Sequence, residues 1–263
     1  MLKYIILLFG ILSTFKSSSQ SIQTDRPSQT DAATAINPGE LQIESGFLFE
    51  RYKLSSSFSE HRNSHPINVI RLGLVKKLEL RFVNQLVTYR IKDNVGNIKD
   101  KSISGSENLQ VGFKYQLTNN DSKLLMSAIA HAILPTGSEG LSNQFYGALA
   151  KISMTYKLDD IRSLSSNIGY MNQYLDFESN GLVKYADGDL TYTLVYGHSL
   201  DEKVGLFLEV YGAYQDFNNW QNNMDAGFAY LVKDNLQLDY SFGWGLNQTM
   251  NYHSLGISFR LPN

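Results

Sequence analysis

Five histidines, no cysteine and a spread of serines and carboxylates are what this 263-residue chain offers for covalent chemistry. The absence of cysteine excludes disulfides, thiolate nucleophiles, thiolate-bound metals and lipoprotein acylation. A hydrolytic serine needs a histidine within hydrogen-bond reach, held by a third polar group. None of His61, His65, His131, His198 or His253 has a serine two residues later, the spacing that sets both on one strand face. Ser127 and His131 share a face, but four residues of extended chain separate them by roughly 13 Å. A zinc-type site needs three or four converging donors, and only His61 and His65 lie close together. These patterns point away from catalysis, metals and cofactors. What remains is a set of unlike charges at strand spacing: Glu44, Arg71, Glu79, Arg81, Lys114, Lys151, Asp239 and Arg260. Such groups either select solutes along a hydrated passage or neutralise one another between neighbouring strands.

The elements that must carry these charges are clearest in residues 235–261. Leu236, Leu238, Tyr240, Phe242, Trp244 and Leu246 alternate with Gln237, Asp239, Ser241, Gly243 and Gly245. After a short break, Leu255, Ile257, Phe259 and Leu261 alternate with Ser254, Gly256, Ser258 and Arg260. A period of two means a strand with two unlike faces. One face is large, apolar and aromatic. The other is polar or tiny, so it builds no packed core.

The same pattern predicts about twelve strands. They are Leu41–Tyr52, Pro66–Val75, Leu78–Arg90, Ser106–Leu117, Ser122–Leu134, Gln144–Lys157, Arg162–Leu175, Lys184–Leu200, Lys203–Gln215, Trp220–Val232 and the final pair. Ser122–Leu134 is ambiguous, with apolar residues on both faces. Expected connections alternate in length. Long stretches (Lys53–His65, Ile91–Gly105, Pro135–Asn143, Asp176–Val183) follow one edge and tight turns such as Lys76-Lys77 and Asp201-Glu202 the other. Short periplasmic turns opposite longer external loops are a property of bacterial outer-membrane barrels. An even strand number then leaves both termini periplasmic.

A soluble sandwich or lipocalin-like barrel would turn its apolar face inward. A closed sheet of about twelve strands is too wide for its own apolar side chains to fill. Gly73, Gly112, Gly147, Gly169, Gly197, Gly205, Gly227 and Gly243 all lie on the polar face, where small residues leave a lumen. The fold class that follows is all-β: a transmembrane, up-and-down antiparallel barrel. Backbone groups in lipid must be paired, so the sheet closes on itself. Tyr115, Tyr156, Tyr230 and Trp220 sit near strand ends and read as girdle residues. A net charge of −2 gives no footprint for nucleic acid.

Lys3, an apolar run from Tyr4 to Leu12 and small residues at Ser17 and Ser19 read as an export signal over residues 1–19. The run is too short for a helical span. Residues 20–40 are irregular, a periplasmic tail or a lumen plug, and the barrel occupies 41–263.

Thr24-Asp25-Arg26-Pro27-Ser28-Gln29-Thr30 is followed by Asn37-Pro38-Gly39-Glu40-Leu41-Gln42-Ile43-Glu44-Ser45-Gly46-Phe47. The pair resembles the opening of the phenol-degradation meta-pathway (MetA-type) outer-membrane transporters. Those proteins carry a Thr-Asp-Arg-Pro motif just after the signal and a Pro-Gly…Gln…Glu…Gly motif opening the barrel. The resemblance implies an outer-membrane barrel for passage of small, often aromatic or apolar compounds, with no cofactor. Its partners would be outer-membrane lipid and a small permeant. A non-conducting scaffold or surface-binding barrel is the second reading, and a lipid hydrolase the third.

Overall fold

The structure, a computed structural model, describes residues 22–93, 95–98, 102–142, 145–177 and 183–261, without the side chains of 173–177 and 183–187. The expected export signal lies outside the described residues. Residues 22–40 carry no regular structure. The strands that follow are β1 (Leu41–Lys53), β2 (Phe58–Val75), β3 (Leu78–Asp93), β4 (Ile103–Ser106), β5 (Gln110–Gln116), β6 (Leu124–Ile133) and β7 (Tyr146–Lys157). They continue with β8 (Arg162–Phe177), β9 (Val183–Ser199), β10 (Val204–Gln215), β11 (Asn219–Lys233), β12 (Leu236–Gly245) and β13 (Met250–Leu261).

Neighbours in sequence pair antiparallel except β4 and β5, and β1 pairs with both β2 and β13 to close the ring. β4 and β5 both lie along β3, at Leu86–Tyr89 and Leu78–Val83 respectively. They share one position in the wall, so the thirteen strands make a twelve-position barrel. The expected single strand Ser106–Leu117 is thus two pieces broken at residues 107–109, where the amide of Glu107 still reaches the carbonyl of Gln85.

The alternation resolves into outside and inside. Phe47, Phe113, Leu208 and Trp220 are each 48% exposed on the outer face. Glu44, Arg71, Glu79 and Lys114 are 0% exposed on the inner face. Leaving such an apolar belt in water forfeits roughly 25 cal/mol per Å²; hydrocarbon removes that penalty. The fold is therefore a transmembrane barrel, its apolar rows turned to lipid. Among the described residues no helix is long and apolar enough to cross a membrane, and the strands make the crossing. Tyr115, Tyr156 and Tyr230 stand outward, and Trp220 stacks on Tyr214 at 4.6 Å.

Several expected loops are strand instead. β2 begins at Phe58, leaving only residues 54–57 between it and β1. Ser59 pairs with Lys53 on one side and Lys92 on the other. The added stretch is polar on both faces, so hydrophobic periodicity has nothing to detect. β3 likewise runs on to Asp93. In β6 the ambiguity resolves with Leu125, Ile129 and Ile133 buried inside and Ala130 and Ala132 outside.

Candidate functional site

Residues 22–40 lie against the inner wall at the end of the barrel that carries the tight turns. The segment enters where the amide of Ile22 meets the carbonyl of Asp234, between β11 and β12. It leaves where Gly39 and Gly73 bond backbone to backbone, just before β1. Between these points it crosses the lumen. Gln29 and Thr30 touch β10 and β9, and Asp31 reaches β3, β7 and β8.

The charges predicted from strand spacing meet this segment. Arg71 pairs with Glu44 at 3.1 Å and Glu79 at 2.8 Å, and Arg81 with Glu79 at 2.9 Å. Asp25 enters this group and contacts Arg81 at 2.7 Å, Lys114 at 3.0 Å and Arg71 at 3.7 Å. Asp31 bridges Arg81 at 2.9 Å and Lys151 at 2.5 Å. The result is one contiguous network of four carboxylates (Asp25, Asp31, Glu44, Glu79) and four cations (Arg71, Arg81, Lys114, Lys151). Burying charge is costly unless each group is paired and hydrogen-bonded, and here the signs cancel only with the segment in place. Burial pushes the Asp25 carboxyl up, but Arg71, Arg81 and Lys114 outweigh it and hold the group well below the usual 3.8. Asp31 is also lowered: burial raises it, and Lys151, Arg81 and Lys114 together outweigh that.

Two predicted charges stand apart. Asp239 pairs with Arg26 at 2.9 Å, and Arg260 lies 3.8 Å from Glu40 at the mouth.

The two sequence motifs turn out to be the two sides of one contact. The Glu44 carboxylate accepts from the backbone amides of Asp25 (2.8 Å) and Arg26 (3.1 Å). Gln42 donates to the carbonyl of Gln23. Gly46 and Gly256 are cross-strand partners, and a Cβ on either would run into the Arg26 guanidinium. The missing side chains form the slot in which Arg26 lies, with its Nη2 donating to Asp239 and Ser254. Thr24 accepts from Gln237 and donates to the carbonyl of Arg26. Pro27 faces open space.

The other inner-face glycines divide into filled and open positions. A Cβ at Gly73 would strike the backbone of Asn37, and one at Gly169 the side chain of Lys151. At Gly205 nothing lies within 4 Å, and at Gly197 only the Ser163 hydroxyl. Among the described residues, open space therefore remains on the β7–β11 side, and a smaller cavity of about 150 Å³ lies beside Gln23, Thr34, Arg71 and Arg260. The cavity on the β7–β11 side, of about 490 Å³, is lined by Pro27, Ser163, Gly197, Gly205, Phe207 and Ala229 among others.

Sequence reasoning missed three inner residues. Asp31 showed no strand periodicity to flag it. Glu209 and Asp225 sat on the polar face without drawing notice, yet they are cross-strand partners, both 0% exposed. Glu209 accepts from the amide of Gln29 and the hydroxyl of Thr30, each at 2.6 Å. Tyr252 donates to Asp225 Oδ2, and Asp225 Oδ1 has no partner.

Ser127 and His131 both face inward but do not pair. The Ser127 hydroxyl makes no hydrogen bond. His131 Nε2 accepts from Arg81, which leaves its Nδ1–H to donate to Gln110. The histidine is a wall residue of the charge network, with no free nitrogen to serve as a base.

The family model described as "Putative MetA-pathway of phenol degradation" matches residues 24–261. No curated protein matches the sequence. Among solved structures, an outer membrane channel from Pseudomonas putida F1 aligns with a TM-score of 0.70 at 14% identity, covering 87% of this chain and 98% of that one. The KdgM porin aligns with a TM-score of 0.53 at 8% identity (83% and 98% covered). The β domain of the Bordetella autotransporter BrkA also gives 0.53, at 12% identity (83% and 98%). At such identities the likeness is one of fold, and that fold serves channels and autotransporters alike.

Proposed function

The chain belongs to the family of the MetA pathway of phenol degradation, and we propose that it is an outer-membrane channel for small, apolar or aromatic molecules. The observation that carries this reading is the uneven filling of the lumen. The charge network and residues 22–40 pack one side, while on the β7–β11 side a cavity of about 490 Å³ stays open, lined by Gly197, Gly205 and Ala229 together with Phe207, His198, Lys157, Asp160 and Arg162. A barrel serving only as a scaffold needs no such one-sided space.

In this proposal residues 1–19 direct export and are removed. The tight turns and both termini face the periplasm, because periplasmic turns are the short ones. Residues 22–40 act as a plug that enters from that side. The bend at Gln29-Thr30, held on Glu209 and Thr193, caps the open half and is the gate. Glu44, Arg71, Glu79, Arg81, Lys114 and Lys151 hold the plug seated and line a charged constriction once it withdraws. The Pseudomonas protein is described as an outer membrane channel, which supports the same reading.

Planar-bilayer conductance and liposome swelling test it, on mature protein and on a variant lacking residues 22–36. The deletion is expected to raise conductance severalfold. Silence of both proteins in both assays would refute the channel and leave the scaffold reading.

A further inference from the structure

We propose that the lipid-facing side of β1, β2 and β3, at the end of the barrel away from the tight turns, binds the phosphorylated head of an outer-leaflet glycolipid. The proposal rests on the orientation given above, with the tight turns in the periplasm. The outward row of β1 runs Phe47, Phe49, Arg51 and Lys53. Phe47 and Phe49 are each 48% exposed in the apolar belt, and Arg51 and Lys53 are the next two outward steps. Outward positions recur every ~7 Å along a strand, so both cations stand just past the hydrocarbon, at the height of lipid heads.

Strand pairing widens this column into a patch. Arg51 lies across from His61, and His61 from Arg90. One step further out, Lys53 faces Ser59 and Ser59 faces Lys92. Among the described residues no carboxylate pairs with Arg51, Lys53, Arg90 or Lys92. Arg62 shows the contrast: it stands on β2 but faces inward, where Glu50 at 3.5 Å and Glu107 at 2.9 Å neutralise it. Glu60 is the partner of Tyr52 on that same inner face. The Asp93 carboxylate is engaged by its own turn, accepting from the amides of Val95 and Asn97 and from Asn97 Nδ2.

The cations are distributed unevenly around the barrel. At the opposite rim each tight turn carries or adjoins a lysine: Lys76, Lys123, Lys157, Lys203 and Lys233. At this rim every cation whose side chain is described belongs to β1, β2 or β3. Like charges gathered this closely repel, and a gathered counter-charge offsets that. Arginine forks grip phosphate through paired hydrogen bonds, and lysines add point charge. A phosphate monoester carries nearly two negative charges at neutral pH. His61, 3.1 Å from the Ser59 hydroxyl, and Asn63 beside Phe49 offer hydrogen bonds to sugar hydroxyls. Acyl chains along Phe47 and Phe49 deliver such a head to this height, which a soluble anion lacks the means to use.

The probe is bisphosphorylated lipid A, titrated into the whole mature protein in non-ionic detergent and counted by native mass spectrometry. One lipid is expected to bind saturably. Each cation removed should weaken binding about fivefold, so the double variant Arg51→Gln, Arg90→Gln should lose about 25-fold while keeping its heat-modifiable gel mobility. Lys76→Gln with Lys77→Gln, at the opposite rim, should leave binding unchanged. Lipid A stripped of both phosphates, and phosphatidylglycerol, should bind no better to the wild type than lipid A does to the double variant. Equal binding of either control lipid, or undiminished binding by the Arg51, Arg90 double variant, would overturn the site. The orientation is read separately. The chain has no cysteine, so Ser57→Cys, between β1 and β2, should react on intact cells with a membrane-impermeant maleimide. An unlabelled Ser57→Cys would refute the external placement of this rim, whereas labelling without lipid binding would refute the site alone.

Discussion

Replacing Asp25 with alanine removes one negative charge from a buried network in which four carboxylates face four cations. Arg81 loses its 2.7 Å contact and Lys114 its 3.0 Å contact, and the amide of Ala32 loses its acceptor. Glu44, Glu79 and Asp31 remain, so three carboxylates then face four cations. Breaking one side of a buried pair costs about 3–5 kcal/mol. At about 1.4 kcal/mol per decade this shifts the seated-to-withdrawn ratio by roughly 10²–10⁴. The barrel itself keeps its ladder, so its heat-modifiable mobility stays. Hydrogen exchange should accelerate at the amides of Asp25, Arg26 and Ile36, which now bond to Glu44 and Glu79. Channel open probability should rise with it. Adding Lys114→Met restores balance at three charges of each sign and should recover much of the loss, a coupling of about 0.5–3 kcal/mol. Protected amides and unchanged conductance in the single variant would refute the idea that charge balance seats the plug. So would a double variant worse than either single one.

Four further outcomes follow from the same contacts. Gly46→Val should expel Arg26 from its slot and open the channel, whereas in the Arg26→Ala background the same change should have little further effect; conductance of the three variants decides this. Glu209→Ala strips the acceptor from Gln29 and Thr30 and should weaken the bend by about 1–3 kcal/mol. Glu209→Gln keeps an acceptor and offers a donor to the orphaned Asp225 Oδ1, so it should cost less, as read by exchange at the Gln29 amide. The Asp25 carboxyl is depressed in the seated state, so its contribution is fully present above its ordinary value of 3.8 and is lost only as pH falls through the lower, seated value. The difference in conductance between wild type and Asp25→Asn should therefore stay constant through mild acid and close only below that range; a difference that vanishes between pH 5 and 7 would contradict it. Leu208→Lys, on the outer belt, should destabilise insertion by about 2–4 kcal/mol if the position lies near the bilayer midplane, measured by urea titration of folding into liposomes.

The membrane barrel was legible because a period of two needs no knowledge of which strands are neighbours. Phe47, Leu208 and Trp244 announce a lipid-facing row by size and spacing alone, and Glu44, Arg71, Glu79 and Lys114 announce an inner row the same way. Where both faces are polar, as from Phe58 to His65, the signal vanishes, and only pairing with β1 and β3 makes a strand. Where both faces are apolar, as in β6, the sequence leaves the inside undecided. The motif around Asp25 and Arg26 was visible as a pattern, but its partner was not. Asp25 meets Lys114 across 89 residues and Arg26 meets Asp239 across 213, separations that local spacing cannot encode.

The sequence alone determined which face of each strand meets hydrocarbon, because side-chain alternation is a local property of extended backbone. Only the closed barrel decided what the inner face does. Closure brings Glu44, Arg71, Glu79 and Lys114 within reach of one another, and their charges balance only when residues 22–40 fold back among them. The same closure leaves Gly205 facing empty space on the far wall. The consequence of a small residue depends on what stands opposite it, and that is fixed by three-dimensional neighbours rather than by the chain.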